Sequence, residues 1–309
     1  MTSAIAVGTF ASSNAEGHAV MKTIIASAVS LAALATVALA APASAQEVEV
    51  RNAVARVVVI VEDRTDVGVE IEPGTVNLPA PKVTRRGDKV WIDGDLGRNA
   101  TRSCRGGNGN GRQPGEGASV ELRRGGRVEL SAAPLIVLRT PRDVELDVSG
   151  AVFGAIGRGA RSVEFGNGGC GNWTVANVAG DLDLSLGGSG SIQAGQSREL
   201  EVSLGGSGSI AAGPTGGLDA SLGGSGSITV ARTDGPVDIA VGGSGNVTVR
   251  GGRATDLDVS IGGSGDVDFR GTAGAVSAAI AGSGDIRVAS ATGPVSRAVV
   301  GSGRVVVGP

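Results

Sequence analysis

The sequence predicts an all-β protein: a parallel β-helix, or β-solenoid, with coils of about 18–20 residues behind a less regular β N-terminal region. Three observations predict it. The heptapeptide Leu-Gly-Gly-Ser-Gly-Ser-Ile occurs at residues 186–192, 204–210 and 222–228, with looser copies continuing to the C-terminus. The glycine after each serine falls at Gly190, Gly208, Gly226, Gly245, Gly265, Gly284 and Gly303, at intervals of 18, 18, 19, 20, 19 and 19 residues, which is the period of one solenoid turn. The flanking segments alternate apolar and polar residues, as half-buried strands do. A right-handed helix is expected.

In chain order, residues 1–45 read as an N-terminal extension and signal peptide. Met21-Lys22 precedes an Ala-rich apolar stretch over 23–41, and Pro42-Ala43-Ser44-Ala45-Gln46 supplies an A-x-A cleavage motif. Translation starts at Met1 or Met21. No second apolar run of spanning length follows, so the expected product is exported to the periplasm, the outer cell envelope or the medium, with no transmembrane segment after cleavage. Residues 46–148 hold strand-like runs at 54–61, 67–71, 90–92, 120–122, 128–130 and 135–138. They are expected to cap or begin the solenoid, because an exposed solenoid end needs covering.

Residues 149–309 form the repeat region. Its first strand is clearest in Leu182-Asp183-Leu184-Ser185-Leu186 and recurs around Glu201, Asp219, Asp238 and Asp258. A shorter second strand follows the glycine phrase, as in Ile228-Thr229-Val230 and Val247-Thr248-Val249, and Gly/Pro/Asp/Thr stretches such as Thr233-Asp234-Gly235-Pro236 make the second turn. Each coil therefore reads strand, glycine turn, strand, turn. The serines of the phrase are expected to bond nearby backbone, and its glycines to supply positive φ.

The 54 glycines and 2% aromatic residues among 309 imply a shallow aliphatic core, and a net charge of -3 without basic patches argues against nucleic acid as a partner. Cys104 and Cys170 lie beyond the signal, so a disulfide is expected between them, tying a Gly/Asn/Arg-rich loop to the solenoid. Cys170 takes the serine place of a degenerate coil, nineteen residues before Ser189.

Little catalytic chemistry is on offer. The one histidine, His18, precedes the cleavage motif, and the chain has no tyrosine, which removes histidine-dependent nucleophilic schemes and most zinc sites from the mature protein. No metal site and no cofactor are expected. Stacking would align Asp183, Glu201, Asp219, Asp238 and Asp258 in one outward column: either a ladder for a cation or other ligand, or a polar face that alternation alone requires. Asp266 and Asp268 form a similar local pair. The glycine phrase is not the calcium repeat G-G-x-G-x-D-x-U-x: in the copy starting at Gly262, Val267 stands where the liganding Asp belongs, and the period is near 19 instead of nine. A phosphate cradle would need a following helix. Trp173, beside Cys170, is expected to pack in the core, not to serve as a sugar platform.

The Leu-x-Val-Ser-Leu-Gly-Gly-Ser-Gly-Ser-Ile pattern, behind a signal peptide and a less regular β half, resembles the bacterial auto-transporter adhesin head domain family, the head GIN domain, closely over 149–309 and more loosely over 46–148. The resemblance implies a β-helical fold and an envelope or secreted location, and it carries no catalytic residues. The expected function is a non-enzymatic envelope protein whose repetitive surface contacts an envelope protein, polysaccharide or copies of itself. The alternative is a carbohydrate-active β-helix enzyme using surface carboxylates with a nearby arginine such as Arg250, Arg270 or Arg287. The last strand, 304–307, is expected to leave an edge for end-to-end self-association, which Arg304 and Pro309 would discourage.

Overall fold

A computed structural model describes residues 46–106 and 113–308. The segment expected to be a signal peptide, residues 1–45 with its cleavage motif up to Ala45, and Pro309 lie outside the described residues. The protein is a β-solenoid of about nine turns, 63% strand, with stacked parallel coils of about 19 residues.

Two long sheets make the walls. In the first, Ser162–Asn167, Asp181–Leu186, Glu199–Leu204, Gly217–Leu222 and Val237–Val241 stack in parallel register, followed by parts of Arg253–Ile261 and Asp266–Gly282 and by Val295–Gly301. In the second, Asn172–Val175, Ser191–Ala194, Ser209–Thr215, Ser227–Thr233 and Asn246–Val249 stack likewise and lead to Asp285–Ala291 and Arg304–Val307. The alternation in sequence explains which residues face inward. Leu182, Leu184 and Leu186 of one coil, and Leu200, Val202 and Leu204 of the next, are all buried, as are Ile192 and Ile210 across the glycine corner. Each such side chain contributes roughly 1.5–3 kcal/mol on burial, a gain a lone coil cannot realise.

A third, short line of pairing appears where the sequence predicts only a turn. Pro214 and Thr215 pair with Arg232 and Thr233, Thr233 bridges to Gly252, and Arg253 and Ala254 pair with Thr272 and Ala273. Turn-favouring residues mask it in the sequence, but the coil stacks tightly enough there for main chain to bond to main chain.

The N-terminal region both begins the solenoid and covers it. Glu47–Val61 bends at Asn52 (φ 50°) and supplies strands to both walls. On one side it pairs with Asp143–Ile156; on the other, with Lys89–Asp93 and Leu135–Thr140. Beyond these, Lys82–Arg86 and Gly68–Glu72 add antiparallel strands. Chain order and stacking order thus differ here, and the strand Asp143–Ile156 runs through residue 148, with a shift of register against Glu47–Val61 just after it. A three-stranded antiparallel sheet, Thr101–Arg105, Ser119–Leu122 and Gly126–Glu129, is inserted between the covering strands. It packs Val120, Leu122, Val128 and Leu130 onto the outward residues Val54, Ala151 and Phe153 of the second wall, forming a separate small core. Cys104 and Cys170 are joined as a disulfide with Cα atoms 6.0 Å apart, tying this sheet to the solenoid.

Trp173 is a core residue. It pairs in register with Gly154, where any Cβ would overlap its ring, packs against Phe165 with ring centroids 4.5 Å apart and planes tilted by 44°, and donates Nε1–H to the Val152 carbonyl at 2.8 Å.

Candidate functional site: an acidic column

Each first-wall strand of the repeats places an acid outward between two inward apolar residues, as Asp219 between Leu218 and Ala220, and parallel register puts successive coils' outward residues directly over one another. Asp183, Glu201, Asp219, Asp238 and Asp258 are consecutive partners in this register. The column is longer than the repeat motif suggests. Glu164 pairs with Asp183, Glu145 with Glu164, and Glu47 with Glu145, so eight carboxylates stand in line, ending at Ser277. Glu145 and Glu164 sit in the contexts Val-Glu-Leu and Val-Glu-Phe, the same apolar-acid-apolar triplet, so for these two the signal was present without the glycine phrase that marks the repeats; Glu47, which follows Gln46, lacks it.

Only the first of the eight is neutralised: Lys89 forms an ion pair with Glu47. The other seven make no hydrogen bond or ion pair among the described residues. Elsewhere acids are matched with arginines, Asp143 with Arg161, Asp181 with Arg198, Asp268 with Arg270, and Asp285 with Arg287 and Arg304. Neighbouring charges one strand spacing apart repel by about 1 kcal/mol in water-like dielectric, less with salt. The inward leucines of each coil outweigh that cost, which is why the column is tolerated.

The repulsion is felt most where solvent is partly excluded. Burial, then the neighbouring Glu201 and Glu164, push the Asp183 carboxyl up to about 6. Asp238 is raised by burial and by Asp219 and Asp258, and Glu145 by burial and by Glu164 and Glu47. Asp147, one outward position along, is raised by burial and by Glu47 and Glu49. An open groove of about 650 Å³ runs beside the column across five coils, with carboxylates of Asp183, Glu201, Asp219, Asp238 and Asp258 on it and Leu200, Pro236 and Val237 as apolar lining. Chemically this is a straight, repeating anionic track. Among the described residues, no three His, Cys, Asp or Glu side chains are grouped so as to hold a metal ion, and no helix is long and apolar enough to cross a membrane.

The other candidates are placed as follows. Asp268 pairs with Arg270, and Asp266 accepts from the Asp285 amide at 2.8 Å, one rung of a side-chain-to-backbone ladder that continues from Asp285 to Arg304. Gly190, Gly208, Gly226, Gly245, Gly265, Gly284 and Gly303 lie at the corners between the two walls. Two expectations for this corner are corrected. None of these seven glycines has positive φ. Instead a Cβ at each would overlap a carbonyl oxygen of the coil beneath, so close stacking is what demands glycine. Nor do the exposed hydroxyls of Ser189, Ser207 and Ser225 bond the backbone; their amide N–H groups do, donating to Gly169, Gly188 and Gly206 at 3.1–3.2 Å. The corner stacks main chain on main chain and leaves the side chain in solvent. Cys170 stands in the same column, its N–H donating to Gly150 at 3.1 Å.

No protein-family model matches this chain, and no curated protein matches it.

Proposed function

We propose that this is an exported, non-enzymatic cell-envelope protein of the adhesin-head kind, which uses the side of its solenoid as a repetitive contact surface. The observation that carries the proposal is the column of seven unpaired carboxylates on one wall, in a molecule whose other acids are largely paired. A flat anionic track with one charge per strand spacing suits a partner that repeats its own positive charges, such as an amino-bearing polysaccharide or a basic protein surface. Such contact is multivalent: weak individual pairs add over several coils. Export is supported by the disulfide, since such bonds persist in oxidising compartments.

The test is binding of the oxidised protein to immobilised polyglucosamine and to its fully N-acetylated form. Binding should be confined to the charged polymer, weaken with salt, and fall at least tenfold in the triple variant Glu201→Gln, Asp219→Asn, Asp238→Asn. Equal binding by that variant rejects the proposal.

A second reading keeps one specific observation. Asp183 at about 6 beside Glu201 is the kind of carboxyl pair, with separated protonation, that glycoside hydrolysis uses. Release of reducing ends from an envelope polysaccharide, abolished by Asp183→Asn, would favour this enzyme reading over the contact surface.

A further inference from the structure

The repeats present one surface many times over, whereas the junction of the inserted sheet with the solenoid occurs once. Two adjoining clefts lie there, of about 530 and 290 Å³, close to the sizes at which small-ligand sites are found. Asn52, Arg98, Gly150 and Gly168 line both. On the solenoid side of the smaller cleft, Gly150, Gly168, Gly169 and Gly188 leave main chain bare. The inserted sheet supplies residues 101–104 opposite, and the Cys104–Cys170 disulfide is part of the wall.

Three arginines, Arg51, Arg98 and Arg102, line the pair of clefts against two carboxylates, Glu49 and Asp93. Both carboxylates are engaged within the protein. Asp93 accepts from Arg51 Nε at 2.9 Å, from Asn52 Nδ2 at 3.3 Å and from the Asp95 amide at 2.9 Å, and Glu49 accepts from Trp91 Nε1 at 2.9 Å. Arg98 and Arg102 make no side-chain hydrogen bond or ion pair among the described residues, and neither do the hydroxyls of Ser103, Ser149 and Ser189. One positive charge is therefore left over, among free hydroxyl groups.

The loop that carries Arg98 is fixed. Gly94 donates its N–H to the Arg51 carbonyl at 2.9 Å, and Leu96 donates to the Asn52 carbonyl at 3.1 Å. Asn52 and Asp95, with φ of 50° and 57°, are the two non-glycine residues with positive φ among the described residues. Left-handed backbone away from glycine is costly and persists where the surrounding structure enforces it. Here it sets the bend of Glu47–Val61 and the path of the loop leading to Arg98.

We propose that this junction is a binding site for a carboxylate-bearing sugar, a uronate unit of a polysaccharide. A guanidinium on a fixed loop receives a carboxylate through two parallel N–H···O bonds, and the single surplus charge matches one carboxylate per sugar unit. The free serines, the Asn52 amide and the bare main chain suit a ligand covered in hydroxyls. An apolar ligand finds little to bury against: Leu96 is the one large apolar side chain on the lining among the described residues. The sign of the ligand is opposite to that favoured by the acidic column, so the inference stands apart from the contact-surface reading.

Isothermal titration calorimetry of the oxidised protein with trigalacturonate, its methyl ester and inorganic phosphate tests it. Trigalacturonate should bind, and both the neutral ester and free phosphate should bind more weakly by about tenfold or more. Arg98→Gln should weaken trigalacturonate binding by about tenfold or more. Arg250→Gln, which alters an exposed arginine of the repeats away from the clefts, should leave it unchanged. The variant carrying Glu201→Gln, Asp219→Asn and Asp238→Asn should bind trigalacturonate at least as well as the unaltered protein, so this inference and the acidic-column reading fail separately. The proposal is overturned by absent trigalacturonate binding, by equal binding of the ester or of phosphate, by an undiminished Arg98→Gln variant, or by an equal loss in Arg250→Gln or the triple variant.

Discussion

Within Leu-Gly-Gly-Ser-Gly-Ser-Ile the three glycines answer to different constraints. A methyl group on the first, at Gly205, Gly223 or Gly242, meets nothing within 4 Å. On the third, at Gly208, it would overlap the Gly190 carbonyl oxygen and lie 2.7 Å from Leu186 Cδ2. Gly205→Ala should therefore be neutral or stabilise by up to about 1 kcal/mol, because it restricts the unfolded chain without strain. Gly208→Ala should cost about 1–3 kcal/mol through overpacking. Urea denaturation of the two variants checks the contrast; equal effects would mean that the corner is not stacked as described. The sequence showed that glycine matters in this phrase but could not say why. Positive φ and close approach leave the same letter, and only the position of the coil beneath separates them.

At the scale of the element, the acidic column makes one sheet face pH-sensitive. A carboxyl whose pKa is raised on folding binds its proton more tightly in the folded state. Its contribution to stability is therefore greatest below the ordinary value and falls as pH rises through the folded value. For Asp183 that window runs from 3.8 to about 6, and raised Asp238 and Glu145 act in the same sense. Asp93, Asp143 and Asp285 are lowered, Asp93 chiefly by the Asp95 backbone amide and the other two by arginine partners, and they withdraw stability only as pH falls below 3.8. Thermal melts should therefore rise in midpoint from pH 7 to about pH 5 and fall again under strong acid. Added salt should raise the midpoint at pH 7 by screening. Asp183→Asn should be more stable than the unaltered protein at pH 7 and show a shallower slope; a variant less stable at pH 7 would contradict the repulsion.

The inserted sheet is the second element with a testable dependence. Its bond from Cys104 to Cys170 closes a separation of 66 residues, for which chain entropy sets a stabilisation of about 4 kcal/mol. Its own core is small and shared with outward residues of the second wall. Reduction should lower the urea midpoint and make the arginines of the sheet, such as Arg102, Arg105 and Arg123, the first sites of tryptic cleavage, ahead of Arg232 or Arg270 in the repeats. Simultaneous cleavage throughout would show that the sheet is not held by the disulfide.

For the whole molecule, legibility in the sequence tracks regularity. From residue 162 onward, alternation and the 19-residue period place nearly every inward residue and the five acids of the repeats. They also put Cys170 in the serine column and Trp173 in the core. The N-terminal third is different. Only residues 54–61 were recognisable as a strand; nothing in an alternating pattern states that the strand starts at Glu47, or that it sits between Asp143–Ile156 on one side and Lys89–Asp93 and Leu135–Thr140 on the other. Alternation encodes which face is buried, not which neighbour is paired. The exposed strands Lys82–Arg86 and Thr101–Arg105 carry too few apolar residues to announce themselves, and Glu47, Glu145 and Glu164 joined the column only once pairing was known.

The central claim is that stacking gathers carboxylates distant in sequence into one electrostatically coupled column. Carboxyl-carbon NMR titration of Asp183, repeated in Glu201→Gln, tests it most directly. Stacking requires Asp183 to titrate near 6 and to move down toward the ordinary aspartate range when Glu201 loses its charge. An Asp183 that titrates in the ordinary range and does not respond to Glu201→Gln would contradict it.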